Sequence, residues 1–110
     1  MTKHVFIVLT NPIDGQEDAY NDWYSNTHLA DVLKIPGIVA AQRFKLSDVQ
    51  RDAALPFRYL ALYEVETDDL SSTLAELKKR AGTAAMVIPD VVAAERAGWF
   101  FQPITPRIEA

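Results

Sequence analysis

Val5-Phe6-Ile7-Val8-Leu9 is apolar at every position, and Tyr59-Leu60-Ala61-Leu62-Tyr63 repeats that pattern later in the chain. The first run is dominated by β-branched and aromatic residues and is followed by Pro12, so His4 to Asn11 reads as a strand. Successive strand side chains leave on opposite faces, which puts Val5, Ile7 and Leu9 on one side and Phe6, Val8 and Thr10 on the other. A strand that is apolar on both sides has to be covered on both sides. At five residues the run is also far too short for a membrane-spanning helix, which needs about 20.

The rest of the chain supplies too little to cover both faces. Asn11 to Gly15 is turn chemistry. From Gln16 the period becomes helical: Tyr20, Trp23, Tyr24 and Thr27 recur on one face, while Leu29, Val32 and Leu33 fall on another. Ser25-Asn26-Thr27 favour caps and turns, so the helix is expected to break or bend near Asn26 and restart at about His28, ending before Pro36. Gly37 opens a second strand, Ile38 to Leu46, with Ile38, Ala40, Phe44 and Leu46 on one side and Val39, Ala41, Arg43 and Lys45 on the other. The polar loop Ser47 to Pro56 leads into a third strand, Phe57 to Val65. Asp68 or Asp69 then caps a second helix lined by Leu70, Leu74 and Leu77; Lys78-Lys79-Arg80 complements its negative end and Gly82 closes it. Residues 83–96 carry no clear period. Trp99-Phe100-Phe101 reads as the heart of a fourth strand, stopped or pushed to a sheet edge by Pro103, and the tail from Thr105 reads as an arm.

Strand, helix, strand, strand, helix, strand is the order of the α+β ferredoxin-like sandwich, two helices on one face of a four-stranded antiparallel sheet. A chain of 110 residues fits one such domain, spanning 1–110. The second, apolar face is then expected to be buried against another copy, making a homodimer through the sheet. The alternative is a monomer shielded by its tail and the Ser47 to Pro56 loop.

Tyr20-x-x-Trp23-Tyr24-x-x-x-His28-Leu29, with Val32-Leu33, Pro36-Gly37 and the strand ending Gln42-Arg43-Phe44, resembles the dimeric α+β barrel superfamily. Within it, small EthD-like and muconolactone-isomerase-like proteins are the most similar. The motif covers about a quarter of the chain; the remainder agrees in element order and length. The resemblance implies a ferredoxin-like domain pairing into a dimeric α+β barrel. It spans isomerases, cyclases, cofactor-free monooxygenases, haem-degrading enzymes and members without known activity, and fold alone does not choose among them. It also implies a catalytic or ligand-binding role for the histidine that closes the motif, His28.

His28 stands out independently, because only histidine has an ordinary pKa near neutrality and can both accept and donate a proton there. The bland reading is a structural histidine bonding a backbone carbonyl at the helix junction. Tyr20, Trp23 and Tyr24 could stack on a planar substrate or bind its oxygen, yet an aromatic stripe at helical spacing also describes a core. Arg43 could bind a carboxylate or enolate oxygen, or close a rim salt bridge. Asp31 could orient the His28 ring or cap a helix.

Several chemistries find no residues to carry them. Without cysteine there is no disulfide, thiolate site or cysteine nucleophile. His4 and His28 lack the spacing of a metal site, and there is no glycine-rich phosphate loop or Gly-x-Ser-x-Gly elbow. The expectation is therefore no metal and no cofactor. A net charge of −4 argues against nucleic acid. The first residues do not read as a secretory signal, giving the expectation of a cytoplasmic protein off the membrane. The leading functional reading is a cofactor-independent isomerase, cyclase or lyase acting on a small cyclic or aromatic carbonyl compound, with His28 as general acid or base. A cofactor-free oxygenase walled by Trp23, Tyr24 and Trp99 is the second. A non-catalytic homodimeric ligand-binding or stress-response protein is the third.

Overall fold

The computed structural model describes residues 1–110. Its elements are β1 (Lys3–Thr10), α1 (Glu17–Trp23), a π-helical turn (Tyr24–His28), α2 (Leu29–Leu33), β2 (Ile38–Lys45), β3 (Tyr59–Glu66), α3 (Leu70–Arg80) and β4 (Ala97–Phe101). The four strands form one antiparallel sheet in the order β2-β3-β1-β4. This is the ferredoxin-like α+β sandwich that the element order called for. No helix is long and apolar enough to cross a membrane.

The helical stretch does not break near Asn26. Trp23, Tyr24, His28 and Leu29 all keep right-handed helical dihedrals, and the Leu29 N–H reaches back to the Tyr24 carbonyl, five residues away. The polar run Ser25-Asn26-Thr27 is absorbed by a wider turn, in which Asn26 donates to the Asp22 carboxylate at 2.8 Å. The widening has a packing consequence. In a regular α-helix each four-residue step drifts by roughly 40°, so Tyr20, Tyr24, His28 and Val32 would spiral off the sheet. The π turn takes up that drift. Tyr20, Tyr24 and Val32 are all buried, His28 is half-buried behind them, and Thr27, expected on the stripe, is exposed.

Register assigns the sheet faces. Phe6 pairs with Tyr63, Val8 with Ala61 and Thr10 with Tyr59, and these residues lie under the helices with Val65 and Phe100. Phe6 stacks on Phe100 at 4.3 Å, and Gly98 leaves room for the Phe6 ring, since a Cβ there would meet it at 3.2 Å. Val5, Ile7, Leu9, Leu60 and Leu62 occupy the other face, as their alternation requires.

The expected faces of β2 are wrong after its first residue. A bulge at Val39 breaks the register, so Ile38 shares the helix-covered face with Ala41 and Arg43, which pair with Tyr63 and Ala61. Ala40 and Phe44 go to the open face. Period-2 reasoning cannot see an inserted residue, and every later side chain changes sides.

α3 begins as expected: the Asp69 carboxylate accepts from the Ser72 N–H at 3.0 Å. Its basic terminus is a solvated helix end in which Arg80 pairs with Glu76 and donates to the Lys34 carbonyl. Residues 81–96 form an irregular strap rather than a strand. Single bridges join Ala81 to Met86 and Pro12 to Val92, and Met86 is buried in the core.

Candidate active site

Between the helices, the sheet and the strap lies an apolar cleft of about 150 Å³. Phe6, Val8 and Tyr63 form its floor, Tyr24, His28 and Val32 one wall, and Leu77, Met86 and Ile88 the other. Two buried polar atoms in it have no hydrogen-bond partner, His28 Nδ1 and the Tyr63 hydroxyl. Buried polar atoms are nearly always paired, so two orphans in one apolar cleft need an explanation.

His28 ends the π turn at the start of α2, so the junction expected from sequence exists, made by widening rather than by a break. Its ring lies 4.6 Å from Trp23 and meets Tyr24 edge-on at 4.9 Å. It makes no bond to a backbone carbonyl. Burial pushes its pKa down to about 4; Asp31 opposes the shift, while Arg96 and Arg43 add to it. Asp31 therefore acts on the ring only through space, and its carboxylate lies 3.7 Å from Lys34. The imidazole is neutral at physiological pH. Burial likewise raises the Tyr63 hydroxyl, and raises Tyr24 to about 12, so both phenols stay protonated. The Tyr24 and Tyr63 hydroxyls are neighbours whose hydrogen-bonding influence lowers Tyr24 and raises Tyr63, although the contact falls outside good hydrogen-bond geometry. Tyr63 lines the cleft and is a residue that sequence reasoning did not single out. The only signal was its position in a doubly apolar strand, which reads as core.

The other candidates divide. Tyr24 lines the cleft, and Trp23 braces His28 while its indole N–H donates to the Val87 carbonyl at 3.2 Å. Tyr20 is outside it: fully buried, its hydroxyl pairs with Thr10 Oγ1. Arg43 is also outside, on the far side of Tyr24, with its guanidinium 4.5 Å from that ring. Its donors are taken by Ser25 at 2.8 Å and Asn21 at 2.9 Å. The Asn21 amide donates to the Tyr59 hydroxyl, which with Arg58 holds the Glu17 carboxylate. This chain ties α1 to β2 and β3. Trp99, expected as a wall in the oxygenase reading, pairs with Ile7 on the opposite face of the sheet. No three histidine, cysteine, aspartate or glutamate side chains lie together in a metal-holding group.

No protein-family model matches the chain, and no curated protein does. Solved structures do. A cofactor-independent oxygenase from Streptomyces nogalater is 12% identical, with 99% of this chain and 100% of that one covered at a TM-score of 0.60. An EthD-family protein from Bacillus halodurans is 16% identical, with 94% and 100% covered at 0.52. A dimeric ferredoxin-like protein of unknown function from Thermobifida fusca is 16% identical, with 93% and 92% covered at 0.55. Together with the β2-β3-β1-β4 sheet and its helical cover, these likenesses show that the chain has the ferredoxin-like α+β fold.

Proposed function

We propose that the chain is a cofactor-independent enzyme that moves a proton on a small cyclic or aromatic carbonyl compound, using His28 as the acid–base group. The observation that carries this reading is the pair of orphaned polar atoms, His28 Nδ1 and the Tyr63 hydroxyl, in one apolar cleft. A neutral imidazole has a free lone pair to take a proton from a carbon beside a carbonyl. A protonated phenol donates to the carbonyl oxygen as negative charge develops on it, and does so best where water is excluded. His28 is a weak base when the cleft is empty, which argues against free proton exchange with solvent. The enolate formed beside it changes that balance, since an opposite charge at contact raises the imidazole's pKa. The proton then returns to another carbon of the same ligand, which is an isomerisation.

The test is proton exchange. Cyclic ketones in D2O should gain deuterium at the α-carbon in the presence of the protein, followed by NMR. His28→Ala should slow exchange by roughly 10²- to 10⁴-fold, the usual weight of one acid–base group. Exchange unaffected by that substitution removes the reading.

The oxygenase reading shares the first step, removal of a proton from an electron-rich ring. It is favoured by the likeness over nearly the whole chain to the Streptomyces nogalater oxygenase. Oxygen consumption with phenolic substrates separates the two.

The open sheet face supports pairing of two copies. Phe44, Trp99 and Phe101 are 44%, 52% and 53% exposed there, beside Val5, Ile7, Leu9, Leu60 and Leu62. An apolar field on an open sheet marks an association surface, and a two-fold pairing buries it with one self-complementary patch.

A further inference from the structure

We infer that the cleft is a single-ring site, built for one six-membered ring carrying one enol or phenol hydroxyl and no carboxylate; this deepens the enzyme reading above and rests on it. Three observations select that ligand. The first is size. At about 150 Å³ the cleft is smaller than the ordinary ligand pocket of roughly 300 to 1,000 Å³. It equals the volume of about 150 Å³ at which an apolar cavity takes up benzene. A fused second ring exceeds that volume and fits inside the cleft only by displacing wall residues such as Leu77, Met86 or Ile88.

The second is the count and kind of polar atoms. The lining is apolar apart from His28 and the aromatic hydroxyls, and the unsatisfied atoms are His28 Nδ1 and the Tyr63 hydroxyl. A ligand hydroxyl seated between them would donate to one and accept from the other, so one group would satisfy both, whichever ring nitrogen carries the imidazole proton. A methyl in its place leaves both orphaned.

The third is charge. The polar groups on the walls are neutral: burial holds His28 unprotonated and the Tyr24 and Tyr63 phenols protonated. No cation lines the cleft: Arg43 is turned away behind Tyr24 with its donors bound to Ser25 and Asn21, and Arg96, whose charge is felt at His28 and Tyr24, lies outside the lining with its Nε donating to the Ala93 carbonyl. A carboxylate entering would lose its water without gaining a partner charge. A phenol is the stable counterpart of the enol that proton transfer from a cyclic ketone produces.

The experiment is a ¹⁵N–¹H NMR titration of the intact chain with phenol, toluene, 1-naphthol and benzoate, which needs no turnover. Phenol should shift the amides around His28 and Tyr63 saturably, while 1-naphthol and benzoate should not. Tyr63→Phe keeps the ring volume and removes one partner, so it should cut the preference for phenol over toluene about fivefold, the weight of one hydrogen bond. Leu77→Ala should open the wall and admit 1-naphthol. Binding of 1-naphthol or benzoate to the wild type, an unchanged phenol preference in Tyr63→Phe, or no binding by phenol overturns the inference. Phenol binding without any proton exchange on ketones would leave the single-ring site standing and remove only the enzyme reading.

Discussion

At the scale of single residues, His28 links stability to pH. Burial holds its pKa at about 4 against an ordinary value of 6.5. Between those values the unfolded chain binds a proton that the folded one refuses, so stability falls as pH drops from about 6.5 towards 4. The shift corresponds to at most about 3 kcal/mol. Glu17 and Glu76 are held below their usual range, by Tyr59 and Arg58 and by Arg80 respectively. Their contribution is lost only as pH falls through and below the ordinary glutamate value of 4.5. Urea unfolding between pH 7 and 5 should therefore show a slope that disappears in His28→Leu. Tyr20 makes a second residue-scale prediction. Tyr20→Phe keeps the ring but leaves Thr10 Oγ1 buried and unpaired, which should cost about 1 to 3 kcal/mol in the same assay at pH 7. The tyrosines of the helical stripe were legible as core or site, and nothing local separated them. Tyr20 meets Thr10 across the β1–α1 turn, while Tyr24 meets the cleft, a difference made by contacts distant in sequence.

At the scale of elements, the π turn decides what the first helix presents. Deleting exposed Asn26 should convert the five-residue step between Tyr24 and Leu29 into a regular four-residue one, so His28 and Val32 keep their present faces and the chain stays folded in urea unfolding at pH 7. The sequence carried a warning, since the aromatic stripe and the Leu29–Val32 set do not share a face on an ideal helix. A break and a widened turn both reconcile that mismatch. Packing of Tyr24 and Val32 against the same sheet selects the wider turn, which keeps every backbone dihedral helical. The α3 terminus was simpler: Asp69 before Leu70 is a cap that local chemistry dictates. Asp69→Ala should destabilise by about 1 kcal/mol in chemical unfolding.

At the scale of the whole molecule, the sheet is covered by helices on one side and carries exposed aromatics on the other. The pairing proposed through that face makes stability depend on protein concentration. Sedimentation should give a dimer, and Trp99→Glu should give a monomer with a lower unfolding midpoint, because Trp99 lies on the open face and touches none of the helical core. A wild-type monomer at micromolar concentration would refute the pairing. His28 and Trp99 lie on opposite faces, so the monomeric variant also asks whether the cleft binds ligands without a second copy.

Element order, the division of β1 and β3 into two apolar faces, and the α3 cap were determined by the sequence alone. Period, propensity and capping act over a few residues, and those distances are readable from a linear chain. The tertiary structure decided three other things: the π turn, the bulge at Val39 that moved Arg43 under the helices, and the placement of Tyr63 and His28 on one cleft. Each depends on which side chains meet across the sheet. The apolar alternation that exposed the fold concealed Tyr63, because a tyrosine in a fully covered strand has the same pattern whether its hydroxyl is satisfied or left facing an empty cleft.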